Sequence, residues 1–239
     1  MPNIWEWPRE WYAFVTARYY LRSRSQASVS PWTGRRNVYG PHSQLWVAEV
    51  TMNDQDAPVP FAIEAFLERL GGSAGLVRMS SPMQRSPQWN QETAGTIQPW
   101  SDGTFFTDGT GWLSGLLPPY VVVRSAETIG ATSVVIGGDL PVSSQRVLRR
   151  GDLIEFRRNA VADETPSLHR IMVDANTNAY GDVRIEIRPP LRKGVAAGDM
   201  GVLDHPATLF RLADDDQGGA EYRAPIVGNI GFTLVENIL

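Results

Sequence analysis

Three features of this 239-residue sequence predict a mainly β fold. Apolar and polar residues alternate in short runs, most clearly around Ile154 and Phe156, from His169 to Asp174, and from Val183 to Arg188. A period of two places one set of side chains on one face of a pleated sheet. The gaps between the runs are rich in Gly, Asn, Asp and Pro, as expected of antiparallel strands joined by turns. Helical spacing recurs at one place only, through Ile63, Phe66, Leu67 and Leu70. The stretch from Val147 to Leu191 therefore reads as a three-stranded meander. Its expected buried set is Ile154, Phe156, Ile171, Val173, Val183, Ile185 and Ile187, with the arginines and acids between them facing water.

The first 50 residues carry five tryptophans, Trp5, Trp7, Trp11, Trp32 and Trp46, with Tyr12, Phe14, Tyr19 and Tyr20 between them. Arg22 to Gln26 alternates as an exposed strand or arm would. Two readings of the aromatic density stand side by side: rings filling a core, or an N-terminal arm docking on a neighbouring subunit, since Trp, Tyr and Arg anchor interfaces. On the second reading the candidate interface residues are Trp5, Trp7, Trp11, Tyr19, Tyr20, Arg22 and Arg24. Ser30-Pro31-Trp32-Thr33-Gly34 has turn chemistry and predicts a hairpin. Leu45 to Thr51 is the next strand. Pro58 and Pro60 then lead into a helix over 61–70, stopped by Gly71-Gly72.

From Ser80 to Pro119 periodicity is lost among Pro, Ser, Gly, Thr and Asp, and a module boundary is expected inside this segment. Trp89, Trp100 and Trp112 lie within it, either pinning the loop to a neighbour or forming sugar-stacking platforms beside Asp and Asn. Strands follow at 120–123 and 132–136. After the meander come strands at 202–203 and 208–212, the acidic turn Asp214-Asp215-Asp216-Gln217-Gly218-Gly219, and a last strand with Ile230, Phe232 and Leu234 inward.

Composition narrows the function classes. No apolar run approaches the roughly 18 residues a spanning helix needs, and the N-terminus lacks the basic start and apolar stretch of a secretory signal. The absence of cysteine excludes disulfides, thiolate metal sites and thiol nucleophiles. A net charge of −4 without a basic run disfavours nucleic-acid binding. Lys193 is the only lysine; arginine codon preference in a GC-rich genome or selection for interface chemistry would each produce this.

No catalytic constellation emerges. His42, His169 and His205 have no second partner at ligand spacing, and His169 on its strand reads as structural. There is no Gly-x-Ser-x-Gly and no Gly-x-x-x-x-Gly-Lys. The acidic turn lacks the closing glutamate of a calcium loop and reads as solvated. Nothing selects a glycosidase pair from the 26 acids. The expectation is a protein with no catalytic residues, no cofactor and no metal.

Two sets of residues carry a resemblance. The first is Ser30 to Gly34, Trp46 to Thr51, and Phe61 to Gly75. The second is Leu148 to Ile154, Val173 to Asn176, Val183 to Arg192, Phe210 to Ala213, and Gly231 to Leu239. Together they resemble the distal tail or baseplate ring proteins at the tail tip of long-tailed, siphovirus-type bacteriophages with GC-rich hosts. The resemblance covers about two thirds of the chain. It implies a tail-tube-like antiparallel β-sandwich with one flanking helix, built from 1–85 and 207–239, and an inserted small β-barrel module at 120–206 joined through an irregular 86–119. It further implies a virion protein assembled in the host cytoplasm as a ring of six copies, joining tail tube to hub without catalysis. A carbohydrate-binding module recognising a host glycan is the alternative, and a hydrolase with paired acids a third.

Overall fold

A computed structural model describes residues 3–13, 15–52, 59–82, 87–93, 97–98, 112–113, 117–158, 166–223 and 226–238. The strands in chain order are β1 (Ile4–Glu6), β2 (Val15–Val29), β3 (Arg36–Met52), β4 (Leu76–Ser80), β5 (Ile97–Gln98), β6 (Trp112–Leu113), β7 (Tyr120–Val123), β8 (Ser133–Gly137), β9 (Leu153–Arg157), β10 (Ser167–Ile171), β11 (Val183–Arg188), β12 (Met200–Val202), β13 (Ala207–Leu212), β14 (Ala220–Arg223) and β15 (Ile226–Glu236). Two α-helices accompany them, α1 (Val59–Leu70) and α2 (Gln88–Thr93). The fold is mainly β, and the chain divides into two compact units: residues 1–82 with 209–239, and residues 83–208.

In the first unit the strands form a seven-stranded sheet in the order β1-β4-β13-β15-β3-β2, with β14 added alongside β15. Most pairs are antiparallel, but β1 and β4 run parallel, Ile4 opposite Leu76. The core follows the expected periodicities. Ile230, Phe232 and Leu234 of β15 are buried in alternation, and α1 buries Pro60, Ile63, Leu67 and Leu70 at helical spacing. Phe66 is half-buried and meets the Trp7 and Trp11 rings edge-on at 5.7 and 5.4 Å. Trp7 also lies 5.7 Å from Phe232. Indole thus bridges helix and sheet. Gly71 and Gly72, both left-handed, end α1 as their position in the sequence implies.

Strand β4 escaped the alternation rule because all five of its residues are buried. Arg78 within it reaches Glu6 of the neighbouring β1 at 3.8 Å.

The second unit is a closed barrel in the order β7-β8-β11-β10-β9-β12, with every pair antiparallel. Strands β9, β10 and β11 are the expected meander. Ile154, Phe156, Ile171, Val183, Ile185 and Ile187 fill the barrel with Val121, Val123, Val134 and Ile136.

Two expectations fail here for definite reasons. Val173 is 50% exposed, because β10 ends at Ile171 and the chain turns away before the next inward position is reached. Glu155, expected to face water, is fully buried. The segment at Ala207 covers it, and its carboxylate accepts the Ala207 N–H at 2.9 Å while pairing with Arg157.

The segment expected to be irregular contains regular elements among its described residues. Gln88–Thr93 forms α2, a second helix where one was expected. The Gln88 N–H donates to Asp152 at 3.0 Å, Asn90 accepts from the Leu117 N–H at 2.6 Å, and Trp89 rests on the barrel core. A six-residue polar helix held by side-chain hydrogen bonds leaves no apolar stripe to read.

Candidate interface: the projecting β-arm

Strands β2 and β3 pair along almost their full length, from Val15 opposite Met52 to Val29 opposite Arg36. The next strand, β15, reaches only Val47 to Met52 of β3. From Arg22 to Val29 on β2, and from Arg36 to Leu45 on β3, the two strands have only each other among the described residues. At about 3.3 Å per residue, the eight residues of β2 make an arm roughly 26 Å long. Among the described residues both of its edges present unpaired backbone groups. The register shifts between Arg24 and Gln26, opposite the stretch containing Pro41, whose missing N–H suits an unpaired position.

The hairpin turns at Ser30–Gly34, where the sequence places it. The Gly34 N–H donates to the Ser30 carbonyl and the Ser30 N–H to the Arg35 carbonyl, both at 2.9 Å. At this tip Trp32 is 93% exposed. Val29, Arg35 and Arg36 beside it are exposed too. Trp and Arg are the residues that dominate interface energetics, and a large ring held almost wholly in water at the end of an arm has no role in its own core.

The arm is also electrostatically distinct. From Arg22 to Leu45 lie four arginines, Arg22, Arg24, Arg35 and Arg36, and no carboxylate. In a chain of net charge −4 the remainder therefore carries −8.

The interface candidates named from sequence fall into different classes. Trp7 and Trp11 are core residues, so the aromatic start is largely the core filling that was one of its two readings. Arg69 lies 3.9 Å over the half-buried Trp5 ring. Tyr19 meets Trp46 at a tilt and Phe210 edge-on, at 5.3 and 5.7 Å. Tyr20 donates to Glu49 at 2.7 Å, which raises the phenol's pKa, and Arg18 lies 4.9 Å over its ring. Arg22 is half-buried at the root of the arm.

Arg24 lies on the arm's backbone, and its side chain is outside the described residues, as is that of Trp112; Trp100 lies outside them altogether. Trp89 has a face on the barrel core, which removes it as a free stacking platform. Sequence reasoning placed Trp32 in the turn and in the aromatic start, and assigned nothing to Arg35 and Arg36. The available signal was the turn itself, since a tryptophan between two strands belongs to neither face of the sheet.

A second feature of the first unit lies between α1 and the acidic loop. Glu64, Leu67, Glu68, Leu212, Asp215 and Gly219 line a cleft of about 210 Å³. Leu67 and Leu212 are buried and make its floor, and the three carboxylates make its rim. The loop is held in place at Asp215, which accepts the Ser73 N–H at 2.7 Å; hydrogen bonding from the Ser73 side chain and backbone keeps its carboxyl below the usual range. The volume suits one side chain, being below the several hundred Å³ of small-molecule sites.

Other chemistry is sparse. The buried His169 hydrogen-bonds Ser167 Oγ through Nε2 and the Pro189 carbonyl through Nδ1, both at 2.7 Å. Nδ1–H must donate to the carbonyl, so Nε2 accepts from Ser167. Burial lowers the ring's pKa to about 4. This is a satisfied core histidine inside the barrel, beside Phe156 at 5.4 Å. Among the described residues no three His, Asp or Glu side chains gather as metal ligands, and no helix is long and apolar enough to cross a membrane. Searches for similar proteins found no family whose model matches the chain and no curated protein that matches it.

Proposed function

We propose that the chain is a structural virion protein of a phage tail tip, assembling into a ring that joins the tail tube to the hub. One observation carries the reading: a roughly 26 Å two-stranded arm with open edges and an exposed Trp-Arg tip. An isolated hairpin is marginal in water, and open strand edges invite pairing with other chains. An arm of this length makes physical sense when another protein covers it. The resemblance in Ser30–Gly34, Trp46–Thr51 and Phe61–Gly75 names the setting, and these residues form the arm's turn, the buried root of β3, and α1 with its stop. On this reading the protein acts by self-assembly and docking, in the virion, without catalysis.

Light scattering on the purified protein, followed by class averages of negatively stained particles, tests the reading. The expected result is a closed ring of about six copies with a central hole, because cyclic closure is what a tube-to-hub adaptor requires. Strictly monomeric protein, both alone and with tail-tube protein added, would overturn it.

A further inference from the structure

We propose that the arm tip of one copy docks in the acid-rimmed cleft of a second copy, with Trp32 over the Leu67–Leu212 floor and Arg35 and Arg36 against Glu64, Glu68 and Asp215. The inference rests on the self-assembly reading and assigns it a contact. Charge complementarity selects the occupant. Between Arg22 and Leu45 the arm carries four arginines and no carboxylate, while the cleft is apolar at its floor and carries three carboxylates at its rim. An isolated acidic rim would attract any cation, but a cleft of about 210 Å³ that has Leu67 and Leu212 as well as three carboxylates in its lining asks for a side chain with an apolar body and positive neighbours. The tip, Val29-Ser30-Pro31-Trp32-Thr33-Gly34-Arg35-Arg36, supplies both.

The contact cannot be made within one chain in this structure, because Trp32 is 93% exposed. Tip and cleft are different surfaces of the same unit, so the contact is head-to-tail. Contacts of that kind close into rings or run on as filaments, depending on the rotation between copies.

Charge exchange tests it. Arg35→Glu/Arg36→Glu reverses the tip, and Glu64→Arg/Glu68→Arg reverses the rim from two helix positions that arginine tolerates well. Each variant alone places like charges together and is expected to lose self-association by at least about thirtyfold, the scale of an interface hot spot. Mixing the two variants is expected to restore it, because every tip then meets an oppositely charged rim on alternate copies. Unaltered circular dichroism and melting temperatures for both variants keep loss of folding apart from loss of docking.

A covalent readout stands beside this. The chain has no cysteine, and Gly219 has open space where a Cβ would be added. Thr33→Cys protein mixed with Gly219→Cys protein carrying a size tag is expected to form an unequal disulfide-linked pair, suppressed by Glu64→Arg/Glu68→Arg. That pair supports the contact whether or not rings close. Rings that persist in both charge-reversed variants with no unequal pair overturn the docking mode and leave the ring reading in place. Retardation of duplex DNA that Arg35→Glu/Arg36→Glu abolishes, with self-association unchanged, overturns it in favour of a nucleic-acid role for the arm.

Discussion

At His169 the physics of a single side chain can be followed from burial to a measurable slope. The ring is fully enclosed, and burial lowers its pKa from 6.5 to about 4. Below pH 6.5 the unfolded chain takes up a proton that the folded barrel refuses until about pH 4. Stability is therefore complete above pH 6.5, declines through that window and levels off beneath it. At about 1.4 kcal/mol per pKa unit, the loss is about 3 kcal/mol. Urea unfolding at pH 7.5, 5.5 and 4 is expected to show it. His169→Gln should flatten the slope while costing about 1–3 kcal/mol at pH 7.5, because the Ser167 hydroxyl and Pro189 carbonyl lose their partner.

Trp7 makes a second test. Its ring meets Trp11, Phe66 and Phe232 and is 4% exposed. Trp7→Ala is expected to destabilise the first unit by about 3–5 kcal/mol, measurable as a fall in urea midpoint. A free interface anchor would leave the midpoint of the isolated chain unchanged. Gly218→Ala probes the acidic loop. The residue holds φ +97°, and a Cβ there would clash with Cδ1 of the Leu67 side chain. A loss of about 1–3 kcal/mol is expected in thermal melts, from left-handed strain and overpacking together.

The arm shows at the scale of an element what pattern reading catches and what it misses. The turn at Ser30–Gly34 was legible because Pro and Gly punctuate the chain there, and the meander because its strands fill a barrel whose wall is wet on the outside. The length of β2 and β3 was not legible. Arg22-Ser23-Arg24-Ser25-Gln26 alternates as an exposed strand or arm would, but it carries no apolar phase from which an extent could be counted. Strand β4 was missed, and Glu155 misread, for the opposite reason. Partners distant in sequence bury them on both sides, and no local window contains β1 or Ala207. Trp32 was visible as a residue, but its meaning depended on knowing that the strands beside it leave the sheet.

Because the arm extends beyond the part of β3 that pairs with β15, its removal leaves the sheet's own pairing intact. Joining Ser23 to Gln44, which are paired in the hairpin, through an Asn-Gly turn deletes residues 24–43. This is expected to change stability by less than about 1 kcal/mol in denaturant unfolding while abolishing self-association by light scattering. A large loss of stability would mean that the arm is a structural part of its own fold.

For the whole molecule the governing fact is the separation of charge along the chain, +4 on the arm between Arg22 and Leu45 and −8 on the rest. A net charge of −4 hides this polarity, and the composition alone therefore read as electrically bland. A polar subunit orients as it approaches its neighbour, so electrostatics should act mainly on the rate of encounter, and the buried ring mainly on the lifetime of the complex. Raising salt from 0.05 to 0.5 M shortens the screening length from about 14 to about 4 Å. Stopped-flow mixing is then expected to show association slowing by about tenfold or more with dissociation little changed. Trp32→Ala should speed dissociation at every salt concentration and leave the salt slope alone, whereas Arg35→Glu/Arg36→Glu should remove or invert the slope. Association that is indifferent to salt, or a Trp32→Ala effect confined to low salt, would show that the arm and the acidic surface do not steer one another. Self-assembly would then have to rest on pairing of the open strand edges, whose backbone hydrogen bonds carry no net charge.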